Sequence, residues 1–377
     1  MNIRYTPAAA AIGLAIGMLV SASAGAADTI RVAVAGPFTG PVTQYGEMVK
    51  QGVDTAIEQI NAQGGVLGKK LVAVTMDDAC EPKQGPVVAN RVVNEKIHYV
   101  VGHVCSGATI AATDIYNDEG VVMISPSATS PAVTDGKNYD FIFRTIGRDD
   151  QQGPAAADFI AKQIKPKRVA ILHDKQSYGQ GIATAVKKEL EKDGIKVVMF
   201  EGINAGDSDY SAVITKLKSV DADFVYYGGY HPEMGLLLRQ GAEQGLKARF
   251  MGPEGVGNAD INAIAGPAVE GMLLTLPADY SKNPANAAVV KAFKDKKRDA
   301  SGAFQLTAYS ALLAIADGIK GVGADDPTKV AAYLHSHAID TPLGKISWNK
   351  QGDLTNFKFE VFTWHKDGTK TAYQYQK

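Results

Sequence analysis

The sequence predicts an α/β chain of two lobes, each a doubly wound parallel sheet. Three observations predict it. Apolar β-rich runs alternate with segments of helical period through most of the chain, the pattern of parallel sheets with helices on both faces. The alternation restarts after about residue 147, giving two series of similar design. The 377 residues also exceed what one ordinary core accommodates.

In the first series, strands are expected at 29–35 (TIRVAVA), 71–76 (LVAVTM), 98–101 (HYVV) and 121–125 (VVMIS). Helices are expected near 43–62, 83–95 and 107–118. Val49, Val53, Ala56, Ile57 and Ile60 lie at helix-face spacing in the first of these. Gly64-Gly65 stops it, and Pro82 suits a first helical turn. In the second series, strands are expected at 168–172, 196–200, 223–227, 248–251 and 271–275. Helices are expected at 150–164, 178–193, 209–219 and 232–244. Helical stretches follow at 285–299, 303–320 and 327–335, and the tail from Lys345 to about Tyr375 alternates in β fashion.

The first residues read as an export signal, 1–27. Arg4 supplies the positive region, residues 8–20 an apolar core too short to span a bilayer, and SASAGAAD (21–28) the small residues of a cleavage site. The mature start is expected at Ala27 or Asp28. The competing reading is a membrane anchor or a buried helix. Polar Asp28 and the β-type run directly after it favour cleavage. The whole chain carries a net charge of −1, which gives no nucleic-acid footprint. Its two cysteines, Cys80 and Cys105, suggest a disulfide in an exported chain, with two free buried thiols as the alternative.

Open parallel sheets bind ligands outside the carboxyl ends of their strands. The strand-to-helix turns 36–46, 102–109, 125–131, 228–233 and 252–257 are therefore the candidate site. Ser106 is expected to cap a helix whose free N–H groups suit a carboxylate. Ser127, Ala128, Thr129 and Ser130, bracketed by prolines, admit a close ligand and offer hydroxyls. Glu254, flanked by Gly252, Pro253 and Gly255, would meet a cation, or else be a surface acid. Tyr45, Tyr178, Tyr230 and Phe304 fall at expected helix starts and read as cleft walls or as core fillers. Together the turns fit a zwitterion with an apolar side chain.

Seven stretches then occur in order: DDACEPKQ (77–84), GHVCS (102–106), DIYNDEG (114–120), HDKQSYG (173–179), DFVYYGGYHPEMG (223–235), MGPEGV (251–256) and SGAF (301–304). On these the chain resembles the periplasmic leucine/isoleucine/valine-binding proteins of bacterial ABC branched-chain amino-acid importers. The resemblance implies a type I periplasmic-binding fold with crossings near 147, 277 and 357. The lobes would be 28–147 with 278–357, and 148–277 with 358–377. It implies a Cys80–Cys105 disulfide, and Ser106 and Thr129 on the ligand carboxylate with backbone help at Ser127. It implies Glu254 on the α-ammonium and Tyr230 on the head group, with Tyr45, Val104, Cys105, Tyr178 and Phe304 lining the side-chain pocket. Ser127 stands where close relatives often carry alanine; the hydroxyl would either leave the backbone contact intact or favour smaller, more polar ligands. The implied partners are a small amino acid and the importer's membrane permease, with the protein a periplasmic monomer that binds no nucleic acid.

No enzyme motif competes. The seven histidines include no HExxH, the cysteines lack zinc spacing, and there is no GxSxG elbow. GVGNAD (255–260) lacks the last glycine of a dinucleotide fingerprint, and GGVLGKK (64–70) fails the phosphate-loop spacing. No metal or cofactor is expected, and His173, Asp174 and His231 read as structural. The remaining alternatives are a sensor presenting its ligand to a signalling receptor, and a binder of another small amino acid or an amide.

Overall fold

The computed structural model describes Met1 and residues 29–375. The expected export signal lies outside the described residues. The first series is β1 (Thr29–Gly36), α1 (Thr43–Ala62), β2 (Lys70–Asp77), α2 (Gly85–Asn94), β3 (Tyr99–Val101), α3 (Ser106–Asp118), β4 (Val122–Ser125) and β5 (Ile142–Arg144). Its strands form one parallel sheet of order β2-β1-β3-β4-β5. The pleat sends successive side chains to opposite faces. Val32 and Val34 of β1 join the large core cluster with α1, and Ala33 and Ala35 join a separate cluster with Val88 and Val92 of α2 and Tyr116 of α3. Burial on both faces explains why these strands read as continuous apolar runs.

The second series is α4 (Asp149–Phe159), β6 (Val169–His173), α5 (Ser177–Lys192), β7 (Val197–Gly202), α6 (Ser211–Ser219), β8 (Phe224–Gly228), α7 (His231–Glu243), β9 (Arg249–Gly252), α8 (Ile261–Ala265) and β10 (Leu273–Pro277). Then come α9 (Ala287–Asp295), α10 (Gln305–Val322), α11 (Pro327–Ser336), the β11 (Ile339–Thr341) and β12 (Gly344–Ile346) hairpin, β13 (Phe359–Trp364) and β14 (Lys370–Ala372). The second sheet has the order β14-β13-β10-β9-β8-β6-β7. It is parallel from β7 to β10, and β13 and β14 add antiparallel.

The chain passes between the sheets three times. It leaves the first after β5, since α4 packs on α5, and leaves the second after β10, since α10 packs on α1. It returns to the second sheet at β13, which pairs with β10. This is the two-lobed, doubly wound architecture with three crossovers.

Departures from the expected elements have local causes. β5 went unread because it is three residues long and ends on a charged residue. Arg144 is fully buried there, its Nε 2.6 Å from Asp353. The stretch 285–299 is α-helical only at Ala287–Asp295, because Asp279 and Asn283 cap two short 3₁₀ turns before it. The β-like tail is strand only at Gly344–Ile346, Phe359–Trp364 and Lys370–Ala372. Asn349 and Gly352 turn the chain between the first two.

Candidate functional site

Each sheet reverses its winding at one point: between β1 and β3 in the first, between β6 and β8 in the second. Crevices form at the carboxyl ends of such strands. The turn after β1 carries Tyr45, that after β3 carries Val104 and Ser106, and that after β4 carries Ser127. From the second sheet, the turns after β6, β8 and β9 carry Tyr178, Tyr230 and Glu254. With Gly255 and Phe304 these residues line one enclosure of about 10 Å³ between the sheets. It adjoins a cleft of about 680 Å³ that shares Tyr178 and Tyr230.

Glu254 anchors the second-sheet side. It is 1% exposed and has no cation within salt-bridge distance among the described residues. Gln152 Nε2 donates to its Oε2 at 2.5 Å and Thr129 Oγ1 to its Oε1 at 3.3 Å. Burial pushes its carboxyl up, and the hydrogen bonds of Gln152, Tyr178 and Thr129 offset part of the rise. Asp149, also 1% exposed, is pushed well above the ordinary carboxylate range by burial and then by the Glu254 charge. Neither of its oxygens meets a donor at hydrogen-bond geometry. Thr129 lies near enough to favour its ionised form, yet turns its hydroxyl to Glu254. The Arg144 charge offsets part of the rise at Asp149, whereas Glu254, which lines the enclosure, has no such cation at salt-bridge distance among the described residues and leaves the site short of positive charge.

The first-sheet side offers donors. α3 presents its N-terminal amides there, a seat for an anion. Ser106 was expected to cap this helix, but the capping position is Cys105 and Ser106 is the first helical residue. The reason is local: the Cys105 carbonyl already accepts from the Thr109 N–H at 3.0 Å, which starts the helix one residue early. The Ser106 hydroxyl is left facing the enclosure, where it accepts only from Ser130 N–H at 3.3 Å.

The remaining expected residues divide. Ser127 lines the enclosure, but its hydroxyl donates to the Val104 carbonyl at 2.9 Å, which accounts for the added oxygen within the protein itself. Ala128 packs into the α2–α3 core, and its carbonyl accepts from Arg144 Nη1 at 3.0 Å. Cys105 is bonded to Cys80 with Cα atoms 5.3 Å apart, and Cys80 borders the larger cleft. Tyr45 donates to the Gly255 carbonyl across the cleft at 2.6 Å, and the Gly255 N–H donates to the Tyr178 hydroxyl at 3.0 Å. The Tyr45 ring stands 5.5 Å from those of Phe304 and His231.

Other supporting residues escaped the sequence reading. Gln152, which also donates to Thr275 Oγ1 at 2.7 Å, sits on a helix far in sequence from Glu254 and carries no motif. Arg144 holds the carbonyls of Ala128 and Ser130 and so shapes the 125–131 turn. The short charged run FIFR before a helix was its only sequence signal. His173 and Asp174 build their own turn, accepting from Lys175 and Gln176 N–H. Among the described residues no cluster of metal-ligating side chains occurs and no helix is long and apolar enough to cross a membrane.

Comparisons with known proteins agree with this architecture. A family model described as periplasmic binding protein matches residues 29–369. The chain is 59% identical over 346 residues to the leucine-, isoleucine-, valine-, threonine- and alanine-binding protein of Pseudomonas aeruginosa, covering 92% of each chain. It is 52% identical to the Leu/Ile/Val/Thr-binding protein of Salmonella typhimurium, covering 92% of this chain and 94% of that one. The solved leucine-binding protein of Thermotoga maritima superposes with a TM-score of 0.84 at 27% identity, over 92% of this chain and 98% of that one. Two parallel sheets wound on both sides, crossed three times and closed over a shared crevice, are the type I form of this fold, and the chain belongs to the periplasmic binding protein family.

Proposed function

We propose that the protein captures aliphatic branched-chain L-amino acids in the crevice between its sheets and delivers them to the membrane permease of an ABC importer. It would work in the periplasm as a monomer and as a binder rather than an enzyme. Its lobes would be 28–147 with 278–357, and 148–277 with 358–377. The names of the relatives support the ligand class, since they bind leucine, isoleucine and valine. One observation in this chain carries the reading: Glu254 is buried in the crevice with no cation beside it. A desolvated carboxylate is costly unless paired, and an α-ammonium is a cation of the right size. The ligand's carboxylate would then lie on the α3 amides, with the Ser106 and Thr129 hydroxyls.

The enclosure of about 10 Å³ holds no more than a water molecule. Capture therefore requires the lobes to part and reclose around the guest, with Tyr45, Tyr178 and Tyr230 turning onto it from both sides. Apolar walls at Val104 and Phe304 set the side-chain preference. At about 0.8 kcal/mol per CH₂, leucine gains about 2.4 kcal/mol over alanine, or roughly sixty-fold.

A thermal-shift screen of all the amino acids and common amides tests the reading. The midpoint should rise with leucine, isoleucine and valine, and isothermal calorimetry should return one site. A rise with amides alone, or with acidic or basic amino acids alone, would refute it.

A further inference from the structure

A second cavity of about 400 Å³ lies beside the crevice. Phe304 walls the small enclosure, whereas Ala303 and Leu306 wall this one, so both border the start of α10. Its lining brings together β14, β13, the segment after β10 and the start of α10. The size is ordinary for a small-molecule site.

Its charged groups are two of each sign, Lys282, Lys370, Asp279 and Asp299, among several hydroxyls. Lys370 reaches in from β14. Its Nζ donates to the Gly257 carbonyl at 2.9 Å and stands 4.5 Å from the centre of the Trp364 ring. Among the described residues no carboxylate lies within salt-bridge distance of it. An ammonium has three N–H donors, and a carbonyl and a ring face do not neutralise a cation. Asp279, already paired with Lys282 Nζ at 3.0 Å, and Asp299 line the same cavity, their oxygens accepting from Ser281 and Ser301. Both act on Lys370 through space, while burial pushes its ammonium down to about 8. Trp364, Leu276 and Leu306 supply apolar wall between the charges.

We propose that this cavity is a second, weaker site for a zwitterionic α-amino acid, with Lys370 receiving the carboxylate and Asp299, which has no cation at salt-bridge distance among the described residues, facing the ammonium. A lysine serving only to hold the Gly257 carbonyl would need neither the cavity nor the two acids across it. The site is coupled to the first by construction. Lys370 holds Gly257 and Trp364 Nε1 donates to the Val256 carbonyl at 3.1 Å, so both brace the turn that carries Glu254. Coupling of this kind is reciprocal.

The chain has two tryptophans, Trp348 and Trp364, and only Trp364 lines the cavity. Full-length protein labelled with 5-fluorotryptophan gives two ¹⁹F resonances, assigned with Trp348→Phe. L-leucine is the probe, titrated past saturation of the first site into the millimolar range. The Trp364 resonance should move in a second saturable phase while that of Trp348 stays still. Through the Gly257 turn Lys370→Met should shift the first phase slightly, and it should weaken the second phase by roughly tenfold or more, the loss of a charge-assisted contact. Asp299→Asn, at an exposed position, should also weaken it and stands in if Lys370→Met misfolds. Glu254→Gln should weaken the first phase and spare the second. No second phase, or one that survives Lys370→Met and Asp299→Asn, would overturn the inference. So would loss of both phases together in Glu254→Gln. Absence of the first phase alone would instead count against branched-chain capture.

Discussion

Glu254→Gln should move ligand affinity and unliganded stability in opposite directions. The carboxyl is pushed up in the folded chain by burial. The folded state therefore holds this proton more tightly than the unfolded one, and the stability it contributes is full below the ordinary range, near pH 4. That stability is lost as pH rises through the raised folded value, above which the unliganded protein carries a desolvated charge with no counter-cation. Glutamine removes the charge and keeps the shape. It offers one acceptor where the carboxylate offered two, but Gln152 Oε1 is buried without a partner and can accept from the new amide once its own amide flips. The ligand, by contrast, loses the partner of its ammonium, and breaking a buried charge pair costs about 3–5 kcal/mol. Leucine affinity should fall about 200- to 5,000-fold. Calorimetry reads the affinity, and urea unfolding without ligand at pH 4 and pH 8 reads the stability. The variant should match wild type at pH 4 and equal or exceed it at pH 8. A dissociation constant within about threefold of wild type would refute the pairing. A loss of several kcal/mol at pH 8 would refute the claim that the charge has no counter-cation.

Three further outcomes follow from the same geometry. Gln152→Leu removes the donor to Glu254 Oε2 while conserving volume, and calorimetry should show leucine binding weakened about tenfold or more. Arg144→Met removes the donor to the Ala128 carbonyl, leaves the Ser130 carbonyl to the Val133 N–H, and leaves Arg148 as the remaining cation on Asp353; urea unfolding should show a loss of about 3 kcal/mol or more. Asp174 is raised to about 7, chiefly by burial, so its penalty grows as pH rises from the ordinary carboxylate range to about 7 and is constant above. Asp174→Asn keeps the acceptor for Gln176 N–H and should stabilise the chain at pH 8 but not at pH 4 in thermal unfolding.

Much of the site was legible because binding chemistry at strand ends is written in short local runs. Glu254 between glycines, Ser106 after an apolar strand, and tyrosines at helix starts each announce a position, and the winding of the sheets converges them. What was illegible acts at long range. Gln152 stands 102 residues from the carboxylate it contacts, and Arg144 stands 209 from Asp353. No local pattern marks such residues, because their partners are supplied by packing. The cavity beside α10 was hidden for the same reason: its charges, Lys370, Asp279, Lys282 and Asp299, lie on three segments that the crossovers bring together.

Sequence alone determined the alternation of strand and helix, the restart that makes two sheets, and the turn chemistry, since hydrophobic period and turn residues act over a few positions. Only the tertiary structure decided which groups lose water. Burial of Glu254 without a cation at salt-bridge distance, the turning of the Ser127 hydroxyl onto the Val104 carbonyl, and the seating of Ala128 in the core follow from close packing of segments far apart in the chain. Desolvation depends on every neighbour at once, and no local stretch of sequence specifies all of them.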